Sequence, residues 1–174
     1  GLVVGLSSKG VGVFENEPFQ ANLDGDQLSL TDGTREIVFS STDESGLQID
    51  KVYRFSADSY AIGFEVRLTN NTDQILKDGL VVALRNAFPA KKNSQAFEGP
   101  SALVNRSIEQ ISVDEIEKKG RLTGQVSWVA LESRYFASSL MPLKDQEAAV
   151  RFEMLPGHVV EAQYLEPEFA LAPR

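Results

Sequence analysis

The feature that most constrains this chain is the alternation of apolar and polar side chains along residues 60–69. The apolar members share one face: Ile62, Phe64, Val66 and Leu68. Such a period of two is typical of a β-strand with one buried and one hydrated face. Residues 52–56 show the same pattern, and the polar turn Ala57-Asp58-Ser59 separates the two segments. We therefore predict a β-hairpin here.

Other turn signals predict further strands upstream and downstream. Asp32-Gly33 separates residues 27–30 from residues 36–40, and Asp-Gly favours a tight hairpin because both residues tolerate positive φ. An Asn-rich turn at residues 70–73 is followed by an apolar segment at 80–84, which we interpret as a returning strand. We also interpret residues 5–14 as a strand.

Near the C-terminus, Pro156-Gly157 separates two apolar segments and predicts another hairpin. Residues 149–155 alternate in character. Residues 158–166 are apolar at neighbouring positions, as in a strand that is buried on both faces.

Three segments depart from the period of two. Residues 88–99 are predicted to form an exposed loop, and residues 112–120 a loop or a brief helix. Within residues 128–136 the large side chains are spaced as on a helix, so we predict one or two helical turns there, followed by a strand at 137–141. The large side chains in question are Trp128, Leu131 and Tyr135. Together these patterns predict an all-β fold, a sandwich of two antiparallel sheets that forms one domain over residues 1–174.

Composition excludes several classes of function. The 174 residues carry a net charge of -8, which disfavours binding to nucleic acid. There is no cysteine and only one histidine, so disulfides, thiolate metal sites and sites with paired imidazoles are excluded. No apolar stretch approaches the roughly 20 residues that a membrane-spanning helix needs. The chain opens on Gly1 rather than Met, which we interpret as a processed or engineered start.

The candidate reactive residues have simpler structural interpretations. His158 follows a turn and has no associated nucleophile, so we expect a surface histidine rather than a general base. Asp24-Gly25-Asp26 lacks the remaining ligands of a calcium loop, so we expect a polar turn. Trp128, Tyr135 and Phe136 suit a carbohydrate platform, but aromatic residues in such segments more often lie in the core. We therefore expect a protein that is not an enzyme and that has no metal site and no cofactor.

Two stretches of the sequence resemble a known family. The first, SWVALESRYFASSLMP, spans residues 127–142, and the second, KVYRFSADSYAIGFEVRLTNNTDQ, spans residues 51–74. Both are similar to the large periplasmic domain of the YidC family of bacterial membrane protein insertases. The residues that carry the signature, which we expect to be structural, are Trp128, Val129, Ala130, Tyr135, Phe136 and Pro142.

This resemblance implies a β-supersandwich that is part of a longer membrane protein at the periplasmic face of the bacterial inner membrane. It implies a non-catalytic accessory and interaction domain of an insertase that inserts and helps to fold inner-membrane proteins, alone or with the Sec translocon. The implied partners are Sec accessory subunits such as a SecF-like protein, and nascent inner-membrane proteins that the membrane domain of the parent contacts.

Two other interpretations stay open at the level of sequence. One is a carbohydrate-binding domain with a fold like that of galactose mutarotase, although an epimerase needs an acid and a base that a single histidine without a motif does not supply. The other is an adhesion-like structural sandwich, for which 174 residues is long.

Overall fold

The computed structural model of the chain describes residues 1–25, 27–88 and 96–174. These residues form two compact units. The first unit comprises Gly1–Glu15 and Asp78–Phe169, and the second comprises Asn16–Lys77 and Ala170–Arg174. All sheet pairings between the strands described below are antiparallel where a register is defined, so the prediction of an all-β, antiparallel fold is confirmed.

The regular elements in the described part of the chain are mainly strands. They are β1 (Leu2–Leu6), β2 (Gln20–Ala21), β3 (Thr34–Thr42), β4 (Leu47–Ser56), β5 (Gly63–Asn70), β6 (Leu76–Asp78), β7 (Leu80–Ala87), β8 (Gly99–Val104), β9 (Ser107–Gln110), β10 (Arg121–Glu132), β11 (Ala137–Leu140), β12 (Gln146–Leu155), β13 (Val159–Leu165) and β14 (Phe169–Leu171). Short helical elements are the 3-10 turns Val11–Phe14 and Val113–Glu115 and the single α-helical turn α1 (Ile116–Lys119).

An eight-stranded sheet forms the first unit, in the order β1-β7-β13-β12-β10-β8-β9, with β11 paired to β10. The long strand β10 changes partner along its length. Its first half, Arg121 to Val126, pairs with β12, whereas Val129 to Glu132 pairs with β11. The register between β10 and β8 shifts between Val126 and Trp128, where a bulge interrupts the ladder.

Strand β13 explains how this sheet buries both of its faces. Val160, Ala162 and Tyr164 belong to the main apolar cluster on one face. The alternate residues Glu161 and Gln163 point to the opposite face and are equally buried. The prediction that this strand is buried on both sides is therefore confirmed, as is the turn at Pro156-Gly157 that precedes it.

A four-stranded sheet forms most of the second unit, in the order β2-β3-β4-β5. The predicted hairpin is confirmed as β4 and β5, although β5 begins at Gly63 and leaves Ile62 outside the strand and exposed. The register places Tyr53 opposite Phe64, with ring centroids 4.9 Å apart, and the Phe39 ring meets Tyr53 edge-on at 5.8 Å. Such cross-strand aromatic contacts stabilise the sheet beyond the burial of area.

The predicted hairpin around Asp32-Gly33 is wrong. Residues 27–30 form no strand, and β3 pairs instead with β4 along its whole length. The short strand β2 occupies the other edge of β3 near Phe39 and Ser40. Gly33 has φ of 67°, so the Asp-Gly pair makes a local bend into β3 without a second strand before it.

The predicted helical turns near residues 128–136 are also wrong, because β10 runs through to Glu132. Val129, Ala130 and Leu131 are all buried, so the spacing of large residues reflects a strand that is covered on both faces. The strand predicted at 137–141 is confirmed as β11, and the brief helix considered at 112–120 is confirmed as α1.

Two further expectations need correction or lie partly outside the described residues. Instead of one strand over residues 5–14, β1 ends at Leu6 and a 3-10 turn covers Val11–Phe14. The exposed loop predicted at 88–99 falls mostly on residues 89–95, which are outside the described part of the chain. The returning strand predicted at 80–84 is confirmed as part of β7.

Candidate functional site

A row of charged residues crosses the face of the eight-stranded sheet that is opposite the main apolar cluster. The register aligns Arg85 of β7 with Glu161 of β13, and Glu161 in turn with Glu153 of β12. Because side chains alternate along each strand, these three residues point to the same side of the sheet. The ladder therefore brings Arg85 of β7 to the β12–β13 hairpin, although Arg85 and Glu161 are 76 residues apart in sequence.

The cluster is held by hydrogen bonds to a carboxylate that is only 2% exposed, that of Glu161. Arg85 Nε donates to one oxygen of this carboxylate at 2.5 Å, and Gln163 Nε2 donates to the other at 2.6 Å. Arg85 also forms an ion pair with Glu15. Burial lowers the pKa of the Arg85 guanidinium, but the hydrogen bond and charge of Glu161 outweigh it, and the pKa is raised.

A depression of about 180 Å³ lies over this cluster. The N-terminal segment forms one wall. Gly10 can lie close to β1 because Gly5 has no side chain, and a Cβ at Gly5 would come within 2.3 Å of the Gly10 carbonyl oxygen. The side chains that line it are mainly polar or aliphatic, and none is aromatic: Leu6, Ser7, Val11, Val81, Arg85, Arg151, Glu153, Glu161, Gln163 and Leu165, together with Gly10 and Gly12.

The polar atoms in the depression are already engaged with one another. Glu161 is paired with Arg85, and Arg151 lies 3.7 Å from Glu153. His158 lies exposed in the turn before β13, as expected for a surface histidine. Within residues 1–25, 27–88 and 96–174, no group of three or more histidine, aspartate or glutamate side chains is placed to hold a metal ion. Asp26 of the candidate calcium loop is outside these ranges.

The signature residues divide into a buried and an exposed group. Val129 and Ala130 are buried in β10, and Trp128 beside them is half-buried. Pro142, which follows β11, is also half-buried. Tyr135 and Phe136 are 75% and 79% exposed, so the interpretation that these two aromatic residues lie in the core is wrong.

The exposed pair forms the turn of the β10–β11 hairpin. Ser133 fixes this turn, because its backbone N–H and its hydroxyl both donate to the Phe136 carbonyl oxygen, at 2.8 and 2.9 Å. Beyond β11, Met141 and Leu143 are exposed as well. The sequence signal for this hairpin is the polar residue Ser133 between two strand-like segments. The helical spacing of the large side chains obscured this signal.

No helix in the described part of the chain has the length and apolarity that a membrane crossing requires.

Comparison with known proteins identifies relatives over almost the whole chain. The family described as the YidC periplasmic domain matches residues 2–174. The membrane protein insertase YidC of Syntrophus aciditrophicus is 25% identical over 99% of this chain, and that of Geobacter sulfurreducens is 21% identical over 98%. The chain spans 32% of the length of each of these relatives.

Among solved structures, the fold is similar to part of two α-galactosidases. That of Lactobacillus brevis aligns with a TM-score of 0.57 and 12% identity, over 99% of this chain and 27% of the enzyme. The α-galactosidase AgaA of Geobacillus stearothermophilus aligns with a TM-score of 0.55 and 11% identity, over 99% of this chain and 28% of the enzyme. At this identity the likeness concerns the fold alone.

The match over residues 2–174 agrees with the resemblance carried by the two quoted segments. The chain thus belongs to the YidC periplasmic domain family, and its place is at the periplasmic face of the inner membrane as part of an integral membrane protein.

Proposed function

We propose that this chain is a non-catalytic accessory and interaction domain of a YidC-type insertase. The parent protein inserts and helps to fold inner-membrane proteins, alone or together with the Sec translocon. The family match over residues 2–174 is the observation that carries this proposal. In this role the chain acts as a single domain that offers surfaces to partners, while the membrane part of the parent contacts nascent proteins.

The state of the charged residues supports a role without catalysis. A general acid or base needs a proton that is free to move at a pKa suited to the reaction. Glu161 is instead held by Arg85 and Gln163, and Arg54 in the second unit is held between Glu36 and Glu65. These groups act as structural ion pairs.

Exposed strand edges support a role in binding partners. In the described residues, β9 ends the eight-stranded sheet and β5 ends the four-stranded sheet, so each strand has one edge without a β-partner. Backbone groups at such edges pair readily with an added strand. A SecF-like accessory subunit of the Sec translocon is the partner that we propose.

Carbohydrate binding is the weaker candidate. The likeness to α-galactosidases concerns the fold, and the polar groups of the depression over Glu161 already bind one another. No aromatic ring lines this depression to stack on a sugar. Calorimetric titration with common monosaccharides should therefore give no saturable heat, and saturable binding at millimolar concentration or tighter would favour this second candidate.

Deletion of the domain from a full-length insertase tests the accessory role. The measurements are the insertion of a substrate membrane protein and the recovery of Sec subunits with the purified insertase. We expect insertion to be largely retained and Sec recovery to fall, because the domain supplies contacts and not the insertion site.

The matched control is a full-length protein whose domain is replaced by that of the Syntrophus relative, which should restore Sec recovery. Loss of insertion by a deletion variant that is otherwise folded, or undiminished Sec recovery, would contradict the proposal.

A further inference from the structure

Four large apolar side chains project into solvent from one short stretch of the first unit. Tyr135 and Phe136 precede the edge strand β11, and Met141 and Leu143 follow it. Between them β11 contributes only small exposed side chains and the half-buried Leu140. Exposed apolar side chains that are grouped in this way mark sites that meet a partner or a membrane more often than singly exposed ones do.

The charged side chains within this stretch are cationic although the chain as a whole is acidic, and the acidic residues Glu132 and Asp145 lie just outside it. From Ser133 to Lys144 there are two basic residues, Arg134 and Lys144, and no acidic residue, while the whole chain carries a net charge of -8. Arg134 lies over the Tyr135 ring at 5.1 Å. Neither cation has a carboxylate partner among the described residues.

This combination matches the chemistry of a lipid surface. Tyrosine and phenylalanine rings partition into the boundary between headgroups and acyl chains, where the ring is apolar and its rim is hydrated. Arginine and lysine beside them bind the phosphates of anionic headgroups. The hydrogen bonds of Ser133 to Phe136 hold the turn in shape, so little conformational entropy is lost on contact.

We infer that the β10–β11 hairpin and the segment to Lys144 form a docking surface for an anionic phospholipid bilayer. Tyr135, Phe136, Met141 and Leu143 enter the boundary region, and Arg134 and Lys144 contact lipid phosphates. This inference goes beyond the accessory role proposed above and does not require a Sec partner.

Flotation of the 174-residue chain with lipid vesicles tests the docking surface. One set of vesicles contains phosphatidylglycerol and phosphatidylcholine in equal parts, and the other contains phosphatidylcholine alone. We expect the chain to float with the anionic vesicles, and replacement of all four apolar residues by serine to weaken binding by about a hundredfold. Arg134→Gln with Lys144→Gln should weaken binding to anionic vesicles by about twenty-five-fold, or about fivefold for each cation.

Two apolar residues of the second unit supply a matched control. Tyr60 and Ile62 are also exposed, so Tyr60→Ser with Ile62→Ser removes two exposed apolar side chains, as Tyr135→Ser with Phe136→Ser does in the hairpin, and should leave vesicle binding unchanged. Equal loss of binding in this control and in the hairpin variant would overturn the inference.

A site-specific probe distinguishes lipid contact from self-association of the chain and does not depend on the stability of the serine variants. Because the chain has no cysteine, Phe136→Cys provides a unique position for an environment-sensitive fluorophore. Its emission should shift to the blue with anionic vesicles, whereas the same label at Tyr60→Cys should not respond. The inference is overturned by absence of flotation, by equal binding to neutral vesicles, or by a shift that depends on protein concentration without lipid, which would indicate a second copy of the chain.

Discussion

Two networks of arginine and glutamate residues, one in each unit, are built by the same rule and differ in burial. In the second unit, Arg54 Nε donates to Glu36 at 2.9 Å and its terminal nitrogen to Glu65 at 2.5 Å, and all three side chains are 39–46% exposed. In the first unit, Arg85 pairs with Glu161, whose side chain is 2% exposed. Cross-strand register brings the partners together in both networks, so the two networks differ mainly in their exposure to water.

This difference determines what each network contributes. An exposed ion pair is weakened by water and by salt, and it adds little to stability. A buried carboxylate has lost its hydration, so removal of its cation leaves a buried charge without compensation, and removal of the carboxylate leaves Arg85 with the partly exposed Glu15 as its carboxylate partner. The exposed network therefore adds little to stability, whereas loss of one member of the buried network should destabilise the first unit.

The largest difference between the networks should appear on removal of one carboxylate from each. We expect Glu161→Ala to lower the free energy of unfolding by about 3 kcal/mol, because Arg85 keeps its charge in a site that is mostly covered. Urea unfolding followed by circular dichroism measures this change. Arg85→Met together with Glu161→Leu should cost less than Glu161→Ala alone, since no buried charge remains. Equal losses for Glu161→Ala and Glu36→Ala would contradict the distinction.

An intermediate effect is expected when acid titrates the exposed network. Hydrogen bonds from Arg67 and then Arg54 lower the pKa of Glu65 from 4.5 to about 2. A folded-state pKa below the unfolded value stabilises the fold above about pH 4.5, and this contribution is lost as the pH falls toward 2. Midpoints of thermal unfolding should therefore differ between the natural chain and Glu65→Gln at pH 5 and converge near pH 2. A difference that is constant over this range would refute the assignment.

The smallest effect should be that of salt on Glu36→Gln. This substitution removes the charge that pairs Glu36 with Arg54. The small decrease that it causes in the free energy of unfolding should vanish in 1 M sodium chloride, where the screening length is about 3 Å. The cost of Glu161→Ala should persist in the same buffer because its carboxylate is shielded from ions. Salt series of urea midpoints for the two variants make this comparison, and a parallel response of both would show that burial does not separate them.

Local sequence patterns were sufficient to predict some of the strands. The β4–β5 hairpin was predictable from alternation around Tyr53 and Phe64, and β13 from apolar residues at neighbouring positions. β10 was not, because Val129, Ala130 and Leu131 are buried at neighbouring positions, so its side chains do not alternate and the spacing of the large ones imitates a helix. Asp32-Gly33 was misleading because a local turn does not specify which strand pairs with the next.

The candidate sites were less accessible to sequence reasoning than the fold. Arg85 and Glu161 are 76 residues apart and meet only through the register of β7 and β13. Tyr135 and Phe136 were expected in the core because of their residue type, yet a turn gives them no opposing surface. The family signature was visible in the sequence because it depends on residue identity and not on long-range pairing.

The change of partner along β10 means that the sheet branches. Upstream of the bulge the strand belongs to the continuous sheet with β12, and downstream it forms a two-stranded finger with β11 that is supported on its other edge by β8. Residues added to or removed from the tip of this finger leave the register of β12, β13 and β7 untouched. The length of this finger can therefore change during evolution without a shift in the register of those three strands.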